Sequence, residues 1–263
     1  MSQARNAEKR TDRPAANRRR LGAVLLCLLL CGGVFFFSTK IRQGVNGNVR
    51  SIRMPFGVKV MEFASRDFQY RRITKEIIGG ARSDSEKALR IFRWVRANIH
   101  QDYPRTWDTI DDHILNIIIR RYGAADQRSD VFTTLCAYAG MNAFWDKCSS
   151  KEGESPIILA FVQIDGRWRI FDMRRDAYYT DADGAIADVN DIIRGEADLQ
   201  GFDDPRTGLA VDHAAYLTNE RSVKAKAFFR AGNQALFSRI YYEVRRLLGG
   251  DEYIVVKLIE DHR

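Results

Sequence analysis

The dipeptide Asp165-Gly166 lies between two apolar runs, PIILAFVQI before it and RWRIF after it. Asp-Gly between such runs is a strong hairpin signal, so residues 156–164 and 167–172 are expected to be antiparallel neighbours. The first of these strands is apolar on both faces, which suits a central position in a sheet. Residues 141–145 supply a third strand. Ahead of them, residues 127–139 carry Val131, Phe132, Leu135, Cys136 and Ala139, as expected of a helix buried under a sheet. Helices packed on an antiparallel sheet give an α+β fold.

The chain has 263 residues, enough for one domain with appendages. Its net charge of +8 is concentrated at one end, because residues 1–20 hold seven basic and two acidic side chains. This tail reads as topogenic, and no nucleic-acid partner is expected. Residues 21–39 follow without a charge, and nineteen residues at helical rise reach about 28 Å, the thickness of a hydrocarbon core. Basic residues ahead of such a segment keep the N-terminus in the cytoplasm and place residues 40–263 outside. A cleaved signal peptide would want a small-x-small site, and Phe35-Phe36-Phe37-Ser38-Thr39 offers none. The expected organisation is therefore a basic tail at 1–20, a membrane anchor at 21–39, a linker with first strands at 40–80 and an extracytoplasmic domain at 81–263. The expected location is the inner (plasma) membrane, crossed once, with the main domain periplasmic.

Within 40–80, residues 58–63 and 68–73 read as strand material. Residues 83–100 form the clearest helix, capped by Ser83 or Ser85, with Ala88, Phe92, Val95 and Ile99 in one stripe. Residues 107–121 give another helix. It carries His113 beside Asp111 and Asp112, a pattern more often solvated than catalytic. Beyond Asp172 the chain reads as an acidic loop. Asp181, Asp183, Gly184 and Asp188 lack the bidentate glutamate of a helix–loop–helix calcium site, and no metal or cofactor is expected. Residues 222–248 form a long helical stretch with an aromatic stripe, and 253–259 a final strand. Cys136 and Cys148 lie in a compartment where disulfides persist, and both a bridge and buried thiols remain open.

The stretch 122–172 resembles the transglutaminase-like (papain-like cysteine) superfamily. The resemblance is carried by Gly123, Ser129, Phe132, Leu135, Gly140, Met141, Asp165, Gly166, Trp168 and Asp172, and extends over roughly 83–180. It implies a nucleophilic Cys at Ala125, a His at or beside Ile157 and an orienting Asp at Asp172. Of that triad only Asp172 is present. A triad needs both a thiolate and a proton acceptor, and neither Ala125 nor Ile157 supplies one.

The reading is thus a degenerate, non-catalytic domain that binds or scaffolds at the cell envelope, in polysaccharide assembly or export. Gln127, Arg128, Trp168 and Asp172 are the candidate ligand-binding residues, for a peptide or glycan, with Gln127 or Trp168 also able to partner a buried Asp172. The membrane and an envelope protein complex are the other expected partners. Two alternatives stand beside it. One is a cysteine-independent hydrolase or transferase with a displaced site, which would bring His113 or His213 to Asp172. The other is a purely structural subunit of a membrane complex.

Overall fold

The computed structural model describes residues 22, 32–33, 37–43, 50–101, 113–150, 153–201, 211–219, 222–224, 231–232, 234–239, 241 and 255–258. Among these no helix is long and apolar enough to cross a membrane. The expected tail at 1–20 lies outside the described residues, and so does the anchor at 21–39 except for Gly22, Gly32, Gly33 and Phe37 to Thr39. The chain divides into two compact units, residues 1–43 with 49–62 and residues 44–48 with 63–263.

In the first unit, β1 (Ser38–Gln43) pairs antiparallel with β2 (Arg50–Pro55), in a register that sets Ser38 opposite Pro55 and Gln43 opposite Arg50. The chain passes straight from β2 into α1 (Phe56–Ile78), whose first turns belong to this unit. Here the expectation of strands at 58–63 and 68–73 is corrected. VKVMEF has strand-like composition, but its continuation buries Tyr70 and Thr74, with Ile73 and Ile77 half-buried at helical spacing. That one-sided stripe makes the segment a helix.

In the second unit, α2 (Asp84–Asn98) starts where expected. The Ser83 hydroxyl accepts from the Glu86 amide at 3.2 Å, while a Glu86 carboxylate oxygen accepts from the Arg82 amide. Its buried stripe is Ala88, Ile91, Phe92 and Val95. Next comes α3 (Ile114–Arg120), shorter than the expected 107–121, whose first residues are outside those described. The buried helix is α4 (Ala125–Tyr138), in which every residue from Gln127 to Cys136 is buried. It stops at Gly140, whose φ of 92° suits glycine alone.

Five strands then run as an antiparallel meander in the order β3 (Ala143–Cys148), β4 (Ile157–Ile164), β5 (Arg167–Asp172), β6 (Ala177–Thr180) and β7 (Asp198–Gly201). The β4–β5 turn is the expected Asp165-Gly166, with φ of 51° and 78°. Both residues occupy the left-handed region that a two-residue hairpin demands. β6 and β7 correct the expectation of a loop after Asp172. Between them, α5 (Val189–Arg194) is capped by the Asp188 carboxylate, which accepts from the amides of Asn190 and Asp191. The aspartates here end turns and start helices. Further on are α6 (His213–Asn219) and a short ribbon of β8 (Ser222–Lys224) with β9 (Val255–Lys257). The long helix expected from residue 222 therefore begins as a strand, because Val223 pairs with Val256.

Alternation along the strands divides the core into two layers. One face of the meander packs Ala160, Val162 and Phe171 against Phe92, Phe132 and Leu135 of α2 and α4. The other packs Phe161, Trp168 and Ile170 against α5 and α6. This explains why β4 is apolar on both faces, although the middle position of the meander falls to β5.

Candidate functional site

Asp172 ends β5, and its even register with Trp168 and Ile170 turns it toward the α6 side of the sheet. The turn after it folds back on the carboxylate. Oδ1 accepts from the amides of Arg174 and Arg175 at 2.9 and 3.0 Å. Oδ2 accepts from Arg175 Nη1 at 2.8 Å and faces His213 Nε2 at 3.0 Å. Both members of the His213–Asp172 pair are almost wholly buried, at 1% and 2% exposure. Burial alone would push the Asp172 carboxyl up. The hydrogen bond and charge of His213, then those of Arg175, outweigh it and hold the group below the usual carboxylate range.

His213 is the first residue of α6. An ionised carboxylate offers only lone pairs, so Nε2 carries the hydrogen shared with Asp172. The other ring nitrogen, Nδ1, lies 3.0 Å from the Tyr179 hydroxyl. Burial, with the charges of Asp212 and Asp172, pushes that phenol up to about 12, so Tyr179 keeps its proton at neutral pH. The result is a closed chain from Tyr179 through His213 to Asp172 and Arg175. Each ring nitrogen of His213 already has a partner.

Of the residues expected at the triad, Asp172 belongs to this chain, and Ala125 and Ile157 do not join it. Ala125 opens α4, which packs on the opposite face of the sheet, and has no nucleophilic atom. Ile157 opens β4 and pairs with Cys148. Ser129, the other hydroxyl near the helix start, donates back to the Ala125 carbonyl at 2.8 Å. Gly123 earns its place by packing, since a Cβ there would meet Ile117 Cγ2 at 3.1 Å and Gln127 Cβ at 3.3 Å.

The four expected ligand-binding residues are not gathered into one groove. Gln127 Oε1 accepts from the Ala124 amide and from Arg120 Nη2, at 3.1 and 2.9 Å, and so ties the helix start to the end of α3. Arg128 is buried, at 1% exposure. It donates to the Met173 carbonyl and, at 2.6 Å, to Asp176, which anchors α4 to the β5–β6 turn. Trp168 packs edge-on against Phe144 in the α6-side layer. The partners expected for Asp172, Gln127 or Trp168, are therefore replaced by His213 and Arg175.

His113 caps α3 without a side-chain cap bond. Cys136 and Cys148 are buried in the two different layers and are not joined in a disulfide, so the bridge left open by the sequence is not formed. Burial pushes the Cys136 thiol well up. Asp181 accepts from the amides of Asp183 and Ala185, an internal turn. Among the described residues no cluster of histidine, cysteine and carboxylate side chains could hold a metal ion.

Sequence reasoning missed Arg175, Tyr179 and Asp176 at this site and held His213 only as an alternative. Arg175 had a local signal, three residues past a buried aspartate at a strand end. His213 had none, being 41 residues from its partner.

No family model matches the chain, and no curated protein matches it. Among solved structures, a "Putative Cysteine Protease" from Cytophaga hutchinsonii is similar to it at 19% identity and a TM-score of 0.35, over 52% of this chain and 47% of that one. A "Putative Protease" from Parabacteroides distasonis is similar at 8% identity and a TM-score of 0.32, over 52% and 39%. The chain thus spans about half the length or less of the solved proteins it resembles.

Proposed function

We propose that this chain is a membrane-anchored, transglutaminase-like protein without catalysis, which binds or scaffolds at the cell envelope and serves polysaccharide assembly or export. The observation that carries the non-catalytic part is the closed bonding of Asp172. Its carboxylate takes four contacts from Arg174, Arg175 and His213, on the face of the sheet away from Ala125. A histidine acting as general base needs a ring nitrogen within reach of a nucleophile, and the side of His213 away from Asp172 is already met by Tyr179. With alanine at the nucleophile position, and both described thiols buried, thiolate-based acyl transfer has no starting atom among the described residues. The envelope role is supported by the uncharged segment 21–39 and its basic flank.

The His213–Asp172 contact also favours a second reading, a hydrolase with a displaced site in which Tyr179 is the reacting hydroxyl. One experiment separates the two. The full chain, purified in detergent, is assayed against peptide, ester and glycan libraries beside His213→Ala and Tyr179→Phe, and all are applied to glycan and peptide arrays. The proposal expects retention on an array and no turnover above the variants. Turnover that disappears both in His213→Ala and in Tyr179→Phe, with the variants still folded, would establish the second reading, and absence of both turnover and retention would leave a structural subunit.

A further inference from the structure

We propose that the β1–β2 ribbon and the first turns of α1 are a docking surface for anionic phospholipid headgroups. The inference rests on the anchored reading of residues 21–39 and says what the chain does on leaving the bilayer.

Three observations carry it. First, charge: from Ser38 to Met61 the sequence holds Lys40, Arg42, Arg50, Arg53 and Lys59 and no acidic residue. The register makes Lys40 the cross-strand partner of Arg53, two residues of like charge. Such a pair weakens a ribbon in water, and an anion beside it removes the penalty. Second, apolar exposure: Met61 is 60% exposed, and Ile52, Phe56, Val58 and Val60 are also open to solvent. Two strands alone are marginal in water, and this ribbon leaves Ile52 and Arg53 exposed.

Third, reach. β1 begins at Ser38, inside the last residues of the uncharged segment, so no linker separates the two. Six residues of strand extend about 20 Å, so the ribbon cannot leave the neighbourhood of the headgroups when the segment spans the bilayer. Interleaved basic and apolar residues suit that zone. The cations meet lipid phosphate while Ile52, Phe56 and Met61 enter the acyl boundary. A nucleic acid would satisfy the cations and leave the apolar side chains in water.

The test is amide hydrogen exchange on the full chain in nanodiscs of phosphatidylcholine alone and of phosphatidylcholine with phosphatidylglycerol, read in peptides from 37–62. Exchange about fivefold slower in the anionic discs is expected, and the difference should vanish at about 1 M salt, where the Debye length is about 3 Å. It should also vanish in a Lys40→Glu/Arg42→Glu/Arg53→Glu variant whose β4 peptides exchange as in the wild type. If that variant does not fold, Lys40→Gln/Arg53→Gln replaces it. Equal exchange in both lipids overturns the proposal, as does protection by duplex DNA but not by anionic lipid. A chain that fails to enter discs refutes the anchored reading instead. Phosphatidylglycerol-dependent sedimentation with vesicles would then still support the surface, and none would overturn it.

Discussion

His213 Nε2 lies 3.0 Å from Asp172 Oδ2, and each residue reaches the other across 41 positions of sequence to a place where neither meets solvent. A buried carboxylate left without donors is costly, so this pair, with Arg175, is what permits β5 to end on an aspartate inside the protein.

Removing His213 takes one of the donors from a buried charge. His213→Ala is expected to destabilise the fold by about 3 kcal/mol, at the low end of the range for a broken buried pair because Arg175 remains. Urea unfolding followed by tryptophan fluorescence measures this. A change within error would show that the pair is not structural.

The acid limb of the stability curve should report Asp172. Its folded pKa is lowered, so the unfolded chain binds the proton more readily. The stabilisation is present above the unfolded value of about 3.9 and is lost as pH falls through the folded one. Asp176 behaves oppositely, because burial raises its pKa by more than Arg128 and Arg96 lower it. Asp172→Asn should flatten the loss of stability in acid and Asp176→Asn should steepen it, in urea midpoints taken across the acid range.

Thiol chemistry should report the core. Cys136 and Cys148 are expected to resist iodoacetamide in the native protein and to react once guanidinium unfolds it, because one is buried in each layer. Peptide mass mapping distinguishes the two sites. Native labelling of either would mean that its layer opens.

Placing a thiol at position 125 should not create an enzyme. Ala125→Cys places a sulfur at the start of α4, but His213 sits across the sheet with both nitrogens occupied. Labelling of the new thiol without peptide or ester turnover is the expected result.

Gly123→Ala is expected to cost about 1–3 kcal/mol through overpacking. The added methyl meets Ile117, Gln127 and Ile99, all buried and held by their own neighbours, so none can yield easily. Thermal unfolding checks it.

Parts of this architecture are written in local chemistry. Asp165-Gly166 names its own turn because few residues accept two consecutive positive φ values. The stripe of α2 and its Ser83 cap are legible for the same reason, since helical period and capping are decided within a few residues. α1 was misread because VKVMEF favours a strand by composition, and only the later burial of Tyr70 and Thr74 selects a helix. β6, α5 and β7 were hidden by aspartates that look like loop and act as caps and turns.

The sequence by itself determined the hairpin, the buried α4, the absence of a nucleophile at Ala125 and the uncharged segment at 21–39. Only the tertiary structure decided which donors Asp172 receives and on which face of the sheet it receives them. The physical reason is that strand alternation assigns a face locally, whereas the donor for a buried charge is whatever side chain the packing of a distant helix delivers. Here that helix is α6, and it brings His213.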